Sequence, residues 1–211
     1  KIIYPEHAFK IKGSGVDLQQ FAYSPIPKDR VKVILVARML WDKGVGEFVE
    51  SATVLTQQGI DADFLLVGSV DSGNPESISA KQLEQWNKSG VVNWLGERAD
   101  IAQLLTESHI AVLPSYREGL PKSLIEAAAV GRAIVTTDVP GCREVVKDGE
   151  NGFLVPAKDA KKLAVAIQKL INNPKLLTSM GKKSRLMAEQ EFSIQQIVEQ
   201  TLKLYKTLKE L

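Results

Sequence analysis

The sequence predicts an α/β fold in which a mainly parallel sheet is covered by helices on both faces. Three observations predict it: short apolar, β-branched runs recur as far as Val155, segments of helical period follow them, and polar turn residues lie between the two. Strands alternating with helices at this spacing imply βαβ crossovers, the mark of a doubly wound, Rossmann-like sheet. Ligands of such sheets lie outside the carboxyl ends of the strands, so the informative residues should follow strands.

The first strand is 31 to 37, Val-Lys-Val-Ile-Leu-Val-Ala, and a short turn leads to a helix that aligns Val45, Phe48, Val49, Ala52 and Leu55. A second unit runs from Phe64 to Gly68, through a polar loop with Asp71, Ser72, Gly73, Asn74 and Pro75, to a helix containing Leu83 and Trp86. Shorter units follow. Val91 to Leu95 precedes a helix around Ile101 to Leu105, Ile110 to Leu113 precedes one from about Pro121 to Val130, and Ala133 to Thr136 precedes one at Arg143 to Val146. Phe153 to Val155 is the last strand. Beyond Pro156 the chain reads as helical: Asp159 to Ile171, a break at Asn172-Asn173-Pro174, a helix to about Glu189, and a final one from Ser193, which suits the N-cap. The final helix places Ile194, Ile197, Val198, Thr201, Tyr205 and Leu208 on one stripe that requires a partner surface.

At 211 residues the chain is long enough for one well-buried domain and too short for two of ordinary size, so 1–211 is read as a single domain with a body at about 15–190 and a terminal helix at 193–211. The net charge of +2 is too small an imbalance to point to nucleic acid or to an anionic membrane. Cys142 is the only cysteine, which excludes an internal disulfide and a thiolate metal site and fits a reducing, cytoplasmic setting. No run approaches the ~18 apolar residues of a membrane span. The start, Lys1-Ile-Ile-Tyr-Pro, lacks the regions of a signal peptide and already reads as strand-like, and with no initiator Met it predicts a chain that begins partway through a longer protein.

The strongest local feature is Ser115-Tyr-Arg-Glu118-Gly-Leu-Pro-Lys-Ser-Leu-Ile-Glu126, directly after the strand that ends at Leu113. Glu118 falls in the loop at the strand's carboxyl end and Glu126 inside the following helix, which Pro121 can open because the first turn needs no N–H there. A carboxylate accepts from two hydroxyl donors, so the pair suits a polyhydroxylated ligand better than a metal, whose ligands must converge on one point. The helix start favours an anion nearby. Hydroxyls and phosphate together indicate a nucleotide sugar. The second feature is Arg38-Met-Leu-Trp-Asp-Lys43-Gly44, after the first strand, where two cations flank a turn and would stabilise charge developing on a departing diphosphate. A solvated loop charge is the ordinary fate of such cations, and a chance spacing that of such glutamates. The loops after Ala37, Gly68, Leu95 and Leu113 are where a ligand is expected.

These residues resemble the C-terminal, donor-binding domain of family-4 glycosyltransferases, retaining enzymes with the two-domain GT-B fold. Gly15-Val16-Asp17-Leu18 through Phe21, the Arg38/Lys43 pair, Glu118 with Glu126, Pro140-Gly141 to Glu144 and Asp148-Gly149 to Gly152 carry the resemblance in order. The wording from Trp41 to Phe48 is similar to members acting in bacterial surface-polysaccharide and glycan assembly. The resemblance implies that Arg38 and Lys43 hold the donor diphosphate, Glu118 bonds the transferred sugar and Glu126 the ribose. It also implies that backbone groups of Gly119, Leu120 and Lys122 contact sugar and phosphate, and that the Gly96-Glu97-Arg98 loop covers the base. Pro121 departs from the glycine common there, so any backbone donation must come from Leu120 or Lys122.

The implied function is transfer of a hexose or N-acetylhexosamine from a nucleotide sugar to a glycan or lipid-linked acceptor, with UDP favoured over GDP. No cofactor or metal is expected, since no cluster of carboxylates falls near the loops proposed for the diphosphate, which leaves cations and helix N–H groups to neutralise it. The acceptor would be held by an N-terminal half absent from this sequence, leaving the isolated chain inactive. Peripheral attachment of the full-length protein at the inner face of the membrane is a further expectation. A dinucleotide dehydrogenase and a P-loop nucleotidase are excluded by the absence of G-x-G-x-x-G after the first strand and of G-x-x-x-x-G-K-[ST] anywhere. A sugar-nucleotide epimerase of the same fold and a non-catalytic binding module stay open. His7, His109 and Cys142 are read as structural, and Trp86 and Trp94 as packing residues.

Overall fold

The computed structural model describes residues 13–209, with side chains as far as Lys206; the strand-like start at Lys1 to Pro5, His7 and the Leu208 side chain lie outside the described residues. Six strands, β1 (Val31–Val36), β2 (Ala62–Val67), β3 (Asn93–Trp94), β4 (Ile110–Leu113), β5 (Ala133–Thr137) and β6 (Gly152–Val155), form one sheet in the order β3-β2-β1-β4-β5-β6. Every pair is parallel, with Val33 opposite Phe64 on one side and Ile110 on the other. The winding reverses between β1 and β4, which places a crevice at their carboxyl ends.

Strand alternation sorts the core into two layers. Val33, Leu35, Phe64, Leu66, Val112 and Val135 face α1 (Val45–Gln57), α2 (Ala80–Lys88) and α6 (Ala160–Ile171). Ile34, Leu65, Val67, Ala111, Leu113 and Ile134 face α3 (Ile101–Thr106), α4 (Lys122–Val130) and the single turn α5 (Pro140–Arg143). Strands β4 and β5 are buried at every residue, as the near-continuous apolar runs of a covered parallel sheet require. The chain ends in α7 (Pro174–Met187), a π-helical turn at Ala188–Phe192, and α8 (Ile194–Lys209).

Several boundaries differ from the sequence reading, each for a local reason. Pro121 is the N-cap rather than the first residue of α4: its φ of −73° and ψ of 106° are extended, and its carbonyl accepts from the Leu124 and Ile125 N–H groups. The helix expected at Arg143 to Val146 instead starts at Pro140, whose fixed φ opens the turn; Val145 and Val146 are buried beyond its end. Strand β3 is only two residues long; before it the Ser89 hydroxyl takes the Val91 N–H, and the Asn87 side chain takes the Trp94 N–H on the side away from β2. Ser193 precedes α8 as expected, but its hydroxyl donates to Gln195 while its carbonyl receives the Ile197 N–H. On α8 the stripe divides: Ile197 and Thr201 are partly covered, whereas Ile194, Val198, Leu202 and Tyr205 are exposed.

Two ties close the domain. Val16 donates to the Phe192 carbonyl at 2.8 Å and accepts from the Ile194 N–H, so the segment leading to β1 meets the start of α8. The fully buried Arg132 sends its guanidinium to the carbonyls of Ser24, Pro25, Ser108 and Val130, and burial lowers its pKa to about 10.

Candidate active site

Beyond β1 the chain makes a 3-10 turn at Trp41–Lys43 and enters α1 through Gly44, whose φ of 72° is left-handed. A Cβ there would overlap the Pro114 carbonyl, so glycine lets the turn after β1 lie directly on the loop after β4. That contact brings Lys43 to Glu118: the ammonium donates to the carboxylate Oε1 at 2.7 Å, with the two side chains 20% and 11% exposed. The Ser115 hydroxyl donates to the same oxygen at 2.7 Å. The Glu118–Gly119 backbone rests on Gly141, where a Cβ would strike both carbonyls. Beneath it, the Thr136 hydroxyl donates to the Leu113 carbonyl at 2.6 Å and that of Thr137 to the Ser115 carbonyl.

Glu126 sits inside α4 at 9% exposure, with Lys122 one turn back at 3.6 Å. Burial holds its carboxyl above the usual range, and Lys122 opposes the shift only in part. No side chain caps α4. Its first N–H groups are therefore not taken by a capping side chain, as an anion site requires.

The structure divides the two predicted cations. Arg38 does not join Lys43: its side chain, 59% exposed, reaches Asp71 in the loop after β2 at 2.7 Å. It instead lines a cleft of about 180 Å³ with Gly68, Ser69, Glu97 and Arg98 at the carboxyl ends of β1 and β2. Arg98 is held by Asp100, at 2.8 Å from Nε, and the guanidinium keeps that carboxyl below its usual range. Gly119 is exposed, and Leu120 packs its side chain on the core while its loop stays at the surface. A cavity of about 620 Å³ opens beside Arg30, Lys32 and Asn93 at the far end of the sheet and touches none of these residues. Charge and hydrogen-bonding groups, rather than volume, locate the site.

Residues without an assigned role in the sequence reading complete the cluster. Ser115 shares Glu118 with Lys43, and the Tyr116 hydroxyl donates to Glu47 on α1 at 2.6 Å. The one signal for Ser115 was its place three residues before Glu118; Glu47 and Tyr116 are 69 positions apart and gave none. His109 is structural: Nδ1 accepts the Lys32 N–H at 3.1 Å, and burial pushes its pKa down. Cys142 is buried beside Thr136 and Thr137, its thiol pKa pushed up by burial. Trp86 and Trp94 pack against the core. Among the described residues no three His, Cys, Asp or Glu side chains form a metal-binding group.

A parallel sheet wound in this order, with a lysine-carboxylate pair and an uncapped helix start at its switch-point edge, defines a nucleotide-sugar-binding domain of the GT-B type. The chain belongs to the family described as glycosyl transferases group 1, which matches residues 17–187. It is 43% identical over 208 residues to the N,N'-diacetylbacillosaminyl-diphospho-undecaprenol alpha-1,3-N-acetylgalactosaminyltransferase of Campylobacter jejuni, covering 92% of this chain and 53% of that protein. Among solved structures it is similar to sucrose-phosphate synthase from Thermosynechococcus elongatus, with a TM-score of 0.81 and 27% identity over 93% of this chain and 52% of the other. It is also similar to Staphylococcus aureus TarM in a complex containing UDP, with a TM-score of 0.76 and 26% identity over 93% of this chain and 39% of the other. The chain spans about half the length of the curated relatives it matches. Among the described residues no helix is long and apolar enough to cross a membrane.

Proposed function

We propose that this domain binds the donor of a retaining glycosyl transfer, a UDP-hexose or UDP-N-acetylhexosamine, whose sugar passes to a glycan or lipid-linked acceptor. The observation that carries it is the meeting of Lys43 and Glu118 at 2.7 Å on the switch-point edge, beside the open start of α4. In this reading Lys43 and the backbone N–H groups around Gly119 to Lys122 hold the diphosphate and stabilise the charge it gains on leaving. Glu118 accepts sugar hydroxyls through Oε2, since Oε1 already receives Lys43 and Ser115. Glu126 accepts from the ribose, and the cleft between Arg38 and Arg98 takes the base end. The UDP in the TarM complex and the N-acetylgalactosaminyl donor named for the Campylobacter relative support this choice. Calorimetric titration with UDP, GDP and ADP tests it: UDP should bind best, and preference for ADP or binding of none would overturn it. Binding is further proposed to need no metal, so EDTA should leave the affinity unchanged, and a tenfold loss would contradict that.

A specific charge pattern favours a lipid-linked acceptor. Between 160 and 188 lie seven of the chain's 27 Lys and Arg and none of its 25 Asp and Glu, so the rest carries five more acids than bases. Among the described residues Lys161, Lys162, Lys175, Lys182 and Lys183 are exposed on α6 and α7 without an ion pair. The small net charge thus conceals a segregated one, of the kind that holds a protein at an anionic bilayer. Cosedimentation with vesicles containing phosphatidylglycerol, lost at 0.5 M salt, is the expected result.

A further inference from the structure

We infer that Tyr116 is a positioning residue that holds Lys43 and Glu118 in register, an inference that rests on the donor-site reading above. Its ties reach the Lys43 side of the site at two points. The Tyr116 N–H donates to the Asp42 carbonyl at 2.9 Å, one residue before Lys43, and its hydroxyl donates to Glu47 Oε1 at 2.6 Å, one turn further along α1. On the other side it stands directly after Ser115 and two residues before Glu118, the two groups that share Oε1 with Lys43. The Lys158 ammonium lies 4.7 Å from the centre of its ring, a cation–π contact on the ring's face.

The clamp is needed because the two halves of the site belong to different βα units. Lys43 lies on the turn after β1 and Glu118 on the loop after β4. Their backbones meet at Gly44 and Pro114, a contact that sets distance but, being non-directional, does not fix the rotation of one loop on the other. Two hydrogen bonds from one rigid aromatic residue do. A bond to a carboxylate is stronger and more directional than one between neutral groups. Tyr116 donates to Glu47 through Oε1 alone, and Oε2 is buried without a hydrogen-bond partner, so this one bond is the side-chain tie between Glu47 and the loop after β4. Burial and Glu47 together push the Tyr116 pKa upward, so the phenol keeps the proton it donates.

The test needs one readout with ligand and one without. In the 211-residue chain, Tyr116→Phe should weaken UDP binding about five- to tenfold, less than the loss of a direct charged hydrogen bond because the residue acts through the position of Lys43. The Lys43→Ala penalty should be smaller in a Tyr116→Phe background than in the parent, because a mispositioned lysine has less to lose. Glu47→Gln keeps an acceptor oxygen for the phenol and should bind like the parent, whereas Glu47→Ala should behave like Tyr116→Phe. Without ligand, trace acetylation followed by mass spectrometry should show Lys43 modified several-fold faster in Tyr116→Phe, with the other lysines unchanged. Independent, multiplicative penalties together with unaltered Lys43 labelling would overturn the inference. If the parent chain binds no UDP, the donor-site reading fails, and the labelling alone decides whether Tyr116 holds the pair.

Discussion

Glu118 and Glu126 belong to one loop-helix unit, yet their surroundings give them different chemistry. Glu118 has a cation at 2.7 Å, while Glu126 is buried with a lysine at 3.6 Å. Lys43→Ala should therefore weaken UDP and UDP-sugar alike, by about 1.5–3 kcal/mol for a charged hydrogen bond. Glu118→Ala should weaken the intact UDP-sugar more than UDP; equal losses in paired titrations would remove its sugar-side assignment. Glu126 adds a pH signature. Its folded-state pKa is raised, so its contribution to stability is fully present below about 4.5 and falls as pH rises through the folded value. The ionised form is the stronger acceptor for ribose hydroxyls, so UDP affinity should fall as pH is lowered through this raised value, and Glu126→Gln should flatten that slope. A slope unchanged by Glu126→Gln would place the titrating group elsewhere. Within the site, what lay close in sequence was legible: the two glutamates, their loop and the helix they enter. The pairing of Arg38 with Asp71, on another loop, was not legible because that contact forms only when β1 and β2 pair.

The elements were legible where periodicity was long and blurred where side chains compete with the backbone. The run Val31–Val36 and the stripe of α1 could be read directly, since period and burial agree. Strand β3 could not, because it is two residues long and its outward Trp94 N–H is taken by Asn87, seven residues back. Arg132 shows the same limit at higher cost. A charge between Gly131 and Ala133 reads as a surface residue, yet it ties the segment before β1 to the end of α4 through four carbonyls. Arg132→Ala should leave the Ser24 and Ser108 carbonyls without this donor and lower stability by about 3 kcal/mol or more. Urea denaturation of the two forms measures this, and a loss below about 1 kcal/mol would mean that water replaces the guanidinium. Helix α8 makes the opposite prediction. Val198 and Leu202 are exposed, so changing both to Gln should alter stability by no more than about 1 kcal/mol while reducing self-association at high concentration.

At the scale of the whole molecule, every proposed ligand group lies on one edge of the sheet: Lys43 after β1, Arg98 after β3, Glu118 after β4 and Glu126 in α4. In the proposed reading these groups hold a nucleotide sugar and stabilise its leaving group. They contain no arrangement that aims an acceptor hydroxyl at the anomeric carbon: among the described residues the side chains on that edge are committed to one another, Lys43 to Glu118, Arg38 to Asp71 and Arg98 to Asp100. Fixing two reactants against each other can supply about 7–11 kcal/mol of a barrier, so a domain that positions only one forgoes most of the acceleration. The apolar face of α8, exposed in these 211 residues, fits a surface that meets a second body in a longer chain. The 211-residue chain is therefore expected to bind UDP and UDP-sugar without transferring the sugar. A chain extended to the length of its relatives should bind with similar affinity, turn over, and bury the α8 face. Stopped assays of UDP release with and without acceptor, run side by side on the two chains, decide the matter. Acceptor-dependent release by the shorter chain at the rate of the longer one would refute a site divided between two halves, whereas binding without release in the shorter chain alone would place the acceptor's positioning outside residues 1–211.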